Sequence, residues 1–292
     1  MTRHFNAHEL SPGAPPASAR RTAIALHCSG GNGRQWRRLA ERLGPDVHLI
    51  APDLIGTPRT GAWHGGRPFT LAEEAGPILE IIDRQSGPVH LFGHSYGGGL
   101  ALHVAAMRAE RVASLSVYEP SAFGLLRGMG EAGAAALAEI EAIAGRIRGA
   151  LADGHYEAGA SAFVEYWNGE GMWAALKPEI RLAMVQYLPK AALDFHALIG
   201  EQTGIGDYAG FSFPVTILRG EYAPRPTRLI AEYLASGIAT AHSRVIEGAG
   251  HMGPITHPEI VMSAFADGLG IASLPDRSAE FGLMRTVDAQ AF

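Results

Sequence analysis

The stretch Pro88-Val89-His90-Leu91-Phe92-Gly93-His94-Ser95-Tyr96-Gly97-Gly98-Gly99 decides how this chain is read. Val89 to Phe92 is an apolar run of strand length, and Leu100 to Met107 is a run of small helix-forming residues. Between them, Gly93 to Gly97 has the form Gly-x-Ser-x-Gly. Strand, sharp turn and helix in that order make the pattern of a nucleophile elbow, which holds a serine hydroxyl exposed on a strained turn. The glycines two before and two after the serine are needed because side chains there would strike the neighbouring strand and helix. With 37 glycines in 292 residues the letters alone carry little weight. The flanking strand and helix supply it, and Ser95 is read as a nucleophile.

A serine hydroxyl attacks poorly until a base takes its proton. Gly248-Ala249-Gly250-His251-Met252 follows the last expected strand, Ser243 to Ile246, and its glycines let the loop bend back. His251 is therefore the expected general base. His94 adjoins the nucleophile but points away from it and is read as structural. His27 and His90 lie in strands and are read as satisfied core histidines.

Working outward, short apolar runs alternate with helical spacings. Strands are expected near His4–Leu10 (a short edge), Thr22–His27, Val47–Ala51, Val112–Tyr118 and Pro214–Leu218. Helices are expected from Trp36 to Leu43, from an N-cap at Thr70, over Thr227–Leu234 and over about Glu259–Leu269. Such alternation predicts a parallel sheet with right-handed crossovers. From Ser121 to Tyr208 no strand is expected. That block carries helical patches at Ala134–Leu151, Tyr156–Trp167, Pro178–Leu188 and Ala191–Ile199. Inserted at the carboxyl end of the sheet, it would lie over Ser95. Ser11–Ala19 reads as a loop, and Asp53 is expected to tie down its own turn.

The bulk properties narrow the function. Hydrophobic residues make up 47% and charged residues 18%, the balance of a globular chain. A net charge of −5 argues against a nucleic-acid partner. The single cysteine, Cys28, excludes an internal disulfide and a thiolate zinc cluster, and it is read as a small buried filler. No run approaches the ~18 apolar residues of a membrane helix, and Met1 to Leu10 lacks the apolar core of a signal peptide. The expectation is a cytoplasmic protein with no membrane partner, acting on a small molecule; a homodimer is left open. Gly128 to Gly133 spells a dinucleotide fingerprint but does not directly follow a strand. No metal and no cofactor are expected.

Further residues carry a resemblance. His27-Cys28-Ser29-Gly30-Gly31 follows the first core strand, and Pro52-Asp53-Leu54 with Gly56 follows the next. The elbow and Gly-Ala-Gly-His-Met with His257-Pro258 complete the series. In this order, from about residue 20 to 270, the chain resembles the α/β-hydrolase superfamily. The resemblance implies a mostly parallel twisted sheet flanked by helices, with an inserted all-helical cap. Residues 1–120 and 211–272 would form the core, 121–210 the cap and 273–292 a C-terminal tail.

The resemblance also implies an acid that orients His251. Its usual position, three residues after the glycine ending the strand before the last, is Ala223 here, which cannot serve. Glu119 and Glu221 are the nearby carboxylates. Family members similar to haloalkane dehalogenases carry the acid where Glu119 stands, so Glu119 is the expected acid and Glu221 the alternative. Dehalogenation itself is disfavoured, because those enzymes use an aspartate nucleophile. Two oxyanion donors are implied, the main-chain N–H groups of Ser29 and Tyr96. Of the cap aromatics, Trp167 and Phe123 are expected at the substrate, with Asn168 and His196 as further candidates.

The implied activity is ester cleavage through an acyl-enzyme. A carbon–carbon hydrolase or enol-lactonase of the same fold is the alternative, favoured if Arg146, Arg148 or Arg181 grips a second carboxylate. A hydrolase-like binding protein with little turnover is the alternative of another class.

Overall fold

The central strands are nearly continuous buried runs, and because successive side chains point to opposite faces, each buries one set on either face of the sheet. The computed structural model describes residues 7–9 and 21–269. Seven strands run β1 (Ala7–Glu9), β2 (Arg21–Leu26), β3 (Val47–Pro52), β4 (Val89–His94), β5 (Val112–Tyr118), β6 (Val215–Gly220) and β7 (Ala241–Ile246), in the order β1-β3-β2-β4-β5-β6-β7. Strand β1 is antiparallel to β3, and the other pairings are parallel. Ile24, Leu26, Leu91, Val117 and Ile217 enter one apolar cluster. Ala23, Ala25, Phe92, Tyr118 and Leu218 enter another on the opposite face.

Helices α1 (Arg37–Leu43), α2 (Leu71–Asp83) and α3 (Tyr96–Met107) fill the first crossovers. Helix α2 starts where expected, with the Thr70 hydroxyl accepting from Glu73 N–H at 3.4 Å. Its buried face carries Leu71, Ala75, Ile78 and Ile82, and with them Glu74. Between β5 and β6 come α4 (Gly130–Ala152), α5 (Tyr156–Asn168), α6 (Met172–Ala175), α7 (Pro178–Gly200) and α8 (Ile205–Ala209). Helices α4, α5 and α7 pack on one another, and α7 also reaches α3. Helices α9 (Arg225–Gly237), α10 (Gly253–Thr256) and α11 (Pro258–Asp267) complete the described chain. None of its helices is long and apolar enough to cross a membrane.

One element differs from expectation. The patches at Pro178–Leu188 and Ala191–Ile199 are a single helix, α7, which runs through Pro189. Proline costs such a helix one hydrogen bond and about 3 kcal/mol. Pro189 itself is exposed, while Leu188, Lys190 and Ala191 are buried. Packing on both sides of the break outweighs the local penalty. The edge strand is described only at Ala7–Glu9. The expected loop at Ser11–Ala19 and tail at 273–292 lie outside the described residues.

The register sets the site. Leu26 pairs with Gly93, His94 with Tyr118, and Tyr118 with Leu218. Gly220 pairs with Ile246. The carboxyl ends of five adjacent strands are thus level. The segments that leave them carry Ser29, Ser95, Glu119, Gly220 and His251, along the edge where such sheets bind ligands.

Candidate active site

The elbow is as tight as its glycines require. Ser95 has φ 54° and ψ −117°, a backbone conformation rarely adopted by a side-chain-bearing residue. A Cβ on Gly93 would lie 2.4 Å from Gly97 O, and one on Gly97 would lie 2.2 Å from Leu26 O. The turn is held from β5: Ser95 N–H donates to Tyr118 O, and Ser121 N–H donates to Ser95 O, each at 3.0 Å. The strand end that fixes the elbow therefore also carries Glu119 and Ser121.

Three side chains from distant parts of the sequence meet there. His251 Nε2 lies 2.8 Å from Ser95 Oγ. His251 Nδ1 lies 2.7 Å from Glu119 Oε2. Glu119 is fully buried, with φ 41°, and its carboxylate also accepts from Gly220 N–H and from the Thr227 hydroxyl, both at 2.9 Å. Since the carboxylate only accepts, Nδ1 carries the proton and Nε2 is free to accept from Ser95. Glu221 is exposed and accepts from Gly248 N–H at 2.9 Å, bracing the loop that leads to His251. The indole of Trp167 stacks on the His251 ring, with centroids 4.2 Å apart.

His94 lies under this arrangement. Its Nε2–H donates to His251 O at 2.8 Å, its Nδ1 accepts from Gln35 Nε2 at 3.0 Å, and Gln35 Oε1 accepts from Cys28 N–H at 3.2 Å. The chain of polarity requires a neutral ring. Burial, with His251 nearby, holds His94 down to about 3. His27 is similar: Nδ1–H donates to Cys28 O at 2.8 Å, Nε2 accepts from Leu54 N–H at 3.0 Å, and burial holds it down to about 4. His90 pairs with Ser114 Oγ at 2.8 Å. Burial pushes the Cys28 thiol up to about 12, which keeps it inert. Asp53 Oδ1 accepts from Gly33 N–H at 2.8 Å, so it holds the loop after β2.

These rings make stability depend on acid. Below about 6.5 an unfolded histidine takes a proton that the buried ring refuses, so the unfolded chain binds more protons and stability falls as pH falls. With folded values of about 3 for His94 and about 4 for His27, the window runs from about pH 6.5 downward. Each ring accounts for about 2 kcal/mol of lost stability between pH 7 and 5. In urea unfolding at those two pH values, His94→Gln is expected to lose about 2 kcal/mol less than the parent chain does. An unchanged pH dependence would show that this ring is not held neutral.

A pocket of about 680 Å³, counted to its open mouth, rises from Ser95 and His251 between the sheet end and helices α5, α6 and α7. Phe123, Phe163, Trp167, Met184 and Phe195 give it an apolar wall, with Asn168 and Met172 toward α6. Phe123 stacks between Trp167 and Phe195, at 6.4 and 6.1 Å. The expected residues Trp167, Phe123 and Asn168 thus line it. His196 does not: it is exposed on the far side of α7. Arg146 and Arg148 are also exposed, and Arg181 lies outside the lining.

Ser29 lines the pocket beside Ser95, and Tyr96 begins α3 immediately after it. Among the described residues, neither main-chain N–H donates in a turn, loop or cap hydrogen bond. Sequence reasoning missed three groups. Ser121 Oγ sits 3.2 Å from Ser95 Oγ, Thr227 steadies Glu119, and Gln35 steadies His94. Only Ser121, two residues past Glu119 on a segment already placed at the site, had a sequence signal. No group of three or more His, Cys, Asp or Glu side chains among the described residues converges as a metal site.

Known proteins resemble this one. The chain is 37% identical over 99 residues to the lipase LipV of Mycobacterium tuberculosis, a stretch covering 34% of this chain and 36% of that one. It spans about half or less of the length of the curated relatives it matches. The solved structures of a hydrolase from Pseudomonas aeruginosa PA01 and of an enol-lactonase from Burkholderia xenovorans LB400 superpose on it, each with a TM-score of 0.68. They share 19% and 18% identity, and each match covers 91% of this chain and 93% or 96% of the other, a likeness of fold. The pattern of the alpha/beta hydrolase family matches residues 23–264. With that match over most of its length, the chain belongs to the alpha/beta hydrolase family.

Proposed function

We propose that this protein is a serine hydrolase that cleaves carboxylic esters through an acyl-enzyme. The relay Ser95–His251–Glu119, closed by hydrogen bonds of 2.8 and 2.7 Å, carries this reading. Ser95 Oγ attacks the ester carbonyl while His251 Nε2 takes its proton. Glu119 holds the ring in the tautomer that can accept and steadies the imidazolium that forms. The N–H groups of Ser29 and Tyr96 receive the negative charge on the carbonyl oxygen. The imidazolium returns its proton to the departing alcohol. Water then enters by the same route and releases the acid. The helical segment at 121–210 acts as a cap that screens this chemistry from bulk water. The apolar wall supports an acyl group of small to medium size without charge. The arginines that would favour a substrate with a second carboxylate lie outside the pocket, which supports an ester over a carbon–carbon substrate.

A fluorophosphonate probe tests this directly. The wild-type chain is expected to take one label on Ser95 and lose its activity on p-nitrophenyl esters in step. The Ser95→Ala variant, folded, takes none. A folded wild-type chain that stays unlabelled would instead support a ligand-binding role with little turnover.

A further inference from the structure

Three charged side chains lie buried at one side of the pocket, with Asp194 reaching its wall, and none takes part in the chemistry above. Lys190 is 6% exposed, Asp194 2% and Glu74 0%. Lys190 Nζ bridges Asp194 Oδ1 and Glu74 Oε2, the latter at 3.0 Å. Asp194 Oδ2 accepts from the hydroxyls of Tyr187 and of Ser29, the second at 2.7 Å. Glu74 Oε2 accepts from the Tyr96 hydroxyl at 2.9 Å, and Oε1 accepts from Ile55 N–H at 2.7 Å. The ammonium also sits 4.6 Å from the centre of the Tyr96 ring and 4.7 Å from that of Phe69.

Besides Tyr187 and Ile55 N–H, this network holds the side chains of Ser29 and Tyr96. Those are the residues whose main-chain N–H groups serve the oxyanion in the reading above. We infer that Glu74, Lys190 and Asp194 are positioning residues for the oxyanion hole, acting through the side-chain anchors of Ser29 and Tyr96; this rests on the ester-hydrolase reading. The segment that bears Ser29 is tied at Cys28, whose N–H donates to Gln35 Oε1 and whose carbonyl accepts from Gly31 N–H at 3.0 Å, and the Ser29 hydroxyl adds its tie to α7. The segment continues into Gly30, with φ 75°, and Gly31, neither of which has a side chain to hold it. Donors must stay within about 0.5 Å of their working geometry to stabilise a transition state. Hydrogen bonds to ionised acceptors are shorter and about twice as strong as neutral ones, so a carboxylate behind each hydroxyl suits the task. The Tyr96 phenol keeps its proton to donate: burial, with Glu74 next, pushes it well above the ordinary phenol range. Two of the three charged residues lie on α7, so the helical segment helps to shape the hole as well as to cover it.

Ser29→Ala and Tyr96→Phe test this at the two anchors, since each removes one hydroxyl and keeps the N–H. Both leave the central ion pairs in place and are expected to fold. Activity on a p-nitrophenyl ester is measured per active site, counted by fluorophosphonate labelling. Each variant is expected to lose about ten- to a hundredfold in kcat, with KM within about threefold. Affinity for an alkylboronic acid, whose adduct on Ser95 is tetrahedral and anionic, should weaken by about the same factor as kcat/KM. A merely structural role would lower the midpoint of unfolding and leave the boronate affinity of the remaining active sites intact. Full kcat and boronate affinity in both variants, or a loss confined to KM, would overturn the positioning role while the hydrolase reading stands. A wild-type chain that takes no label would overturn both.

Discussion

Glutamine in place of Glu119 is expected to lower ester turnover about ten-thousandfold, while Glu221→Gln stays within about threefold of the parent. The carboxylate accepts three bonds at once: from His251 Nδ1 and Thr227 on Oε2, and from Gly220 N–H on Oε1. An amide has one accepting oxygen. If that oxygen faces Gly220, the NH₂ faces Nδ1 and favours the imidazole tautomer with its proton on Nε2, which cannot accept from Ser95. If the oxygen faces His251, the NH₂ meets Gly220 N–H with two donors opposed inside a dry site. Either way the base is lost or its support is strained. Glu221, being exposed and bonded to Gly248 N–H, loses one acceptor for one loop hydrogen bond. Rates on a p-nitrophenyl ester for the two variants decide between the carboxylates. A crippled Glu221→Gln beside an active Glu119→Gln would reverse the assignment.

The reason sequence reading left two candidates for that acid is physical. Strand ends can be read from apolar runs, so Val112 to Tyr118 points to Glu119 at the carboxyl edge. Whether a side chain there turns inward depends on its own backbone, and the φ of 41° at Glu119 leaves no trace in composition or spacing. The same limit explains Thr227, whose hydroxyl reaches Glu119 across 108 residues of chain. The elbow was legible because its signal is local: the glycines at 93 and 97 answer contacts made within one turn and with the adjacent strand end. His251 was legible because a short glycine-flanked loop after the final strand leaves few places for its ring. Helix α2 was legible as an amphipathic helix, yet Glu74 sits on its buried face beside Ala75 and Ile78. A charge on a helix ordinarily marks its wet side. Only the partner 116 residues away, Lys190, makes this one tolerable inside, and no pattern within either helix announces the pair.

That pair sets the largest stability effect expected here. Replacing Lys190 by methionine keeps most of the side chain's volume and removes the charge. Two carboxylates then remain buried without their shared counter-ion, and breaking such a pair from one side costs about 3–5 kcal/mol. Urea unfolding at pH 7 measures it. Burial, against the pull of Lys190, already raises Glu74 above the usual carboxylate range. Without the ammonium its proton affinity rises further in the folded state and stays ordinary in the unfolded one. The folded variant then binds more protons as pH falls, so its deficit against the parent should narrow toward about pH 5. Adding Glu74→Gln removes one of the stranded charges and should recover part of the loss even at pH 7, because a neutral amide needs no counter-ion. A deficit below about 1 kcal/mol, or one that grows in acid, would show that the ammonium does not hold these carboxylates charged. The anchors on Ser29 and Tyr96 would then have to hold without charge behind them.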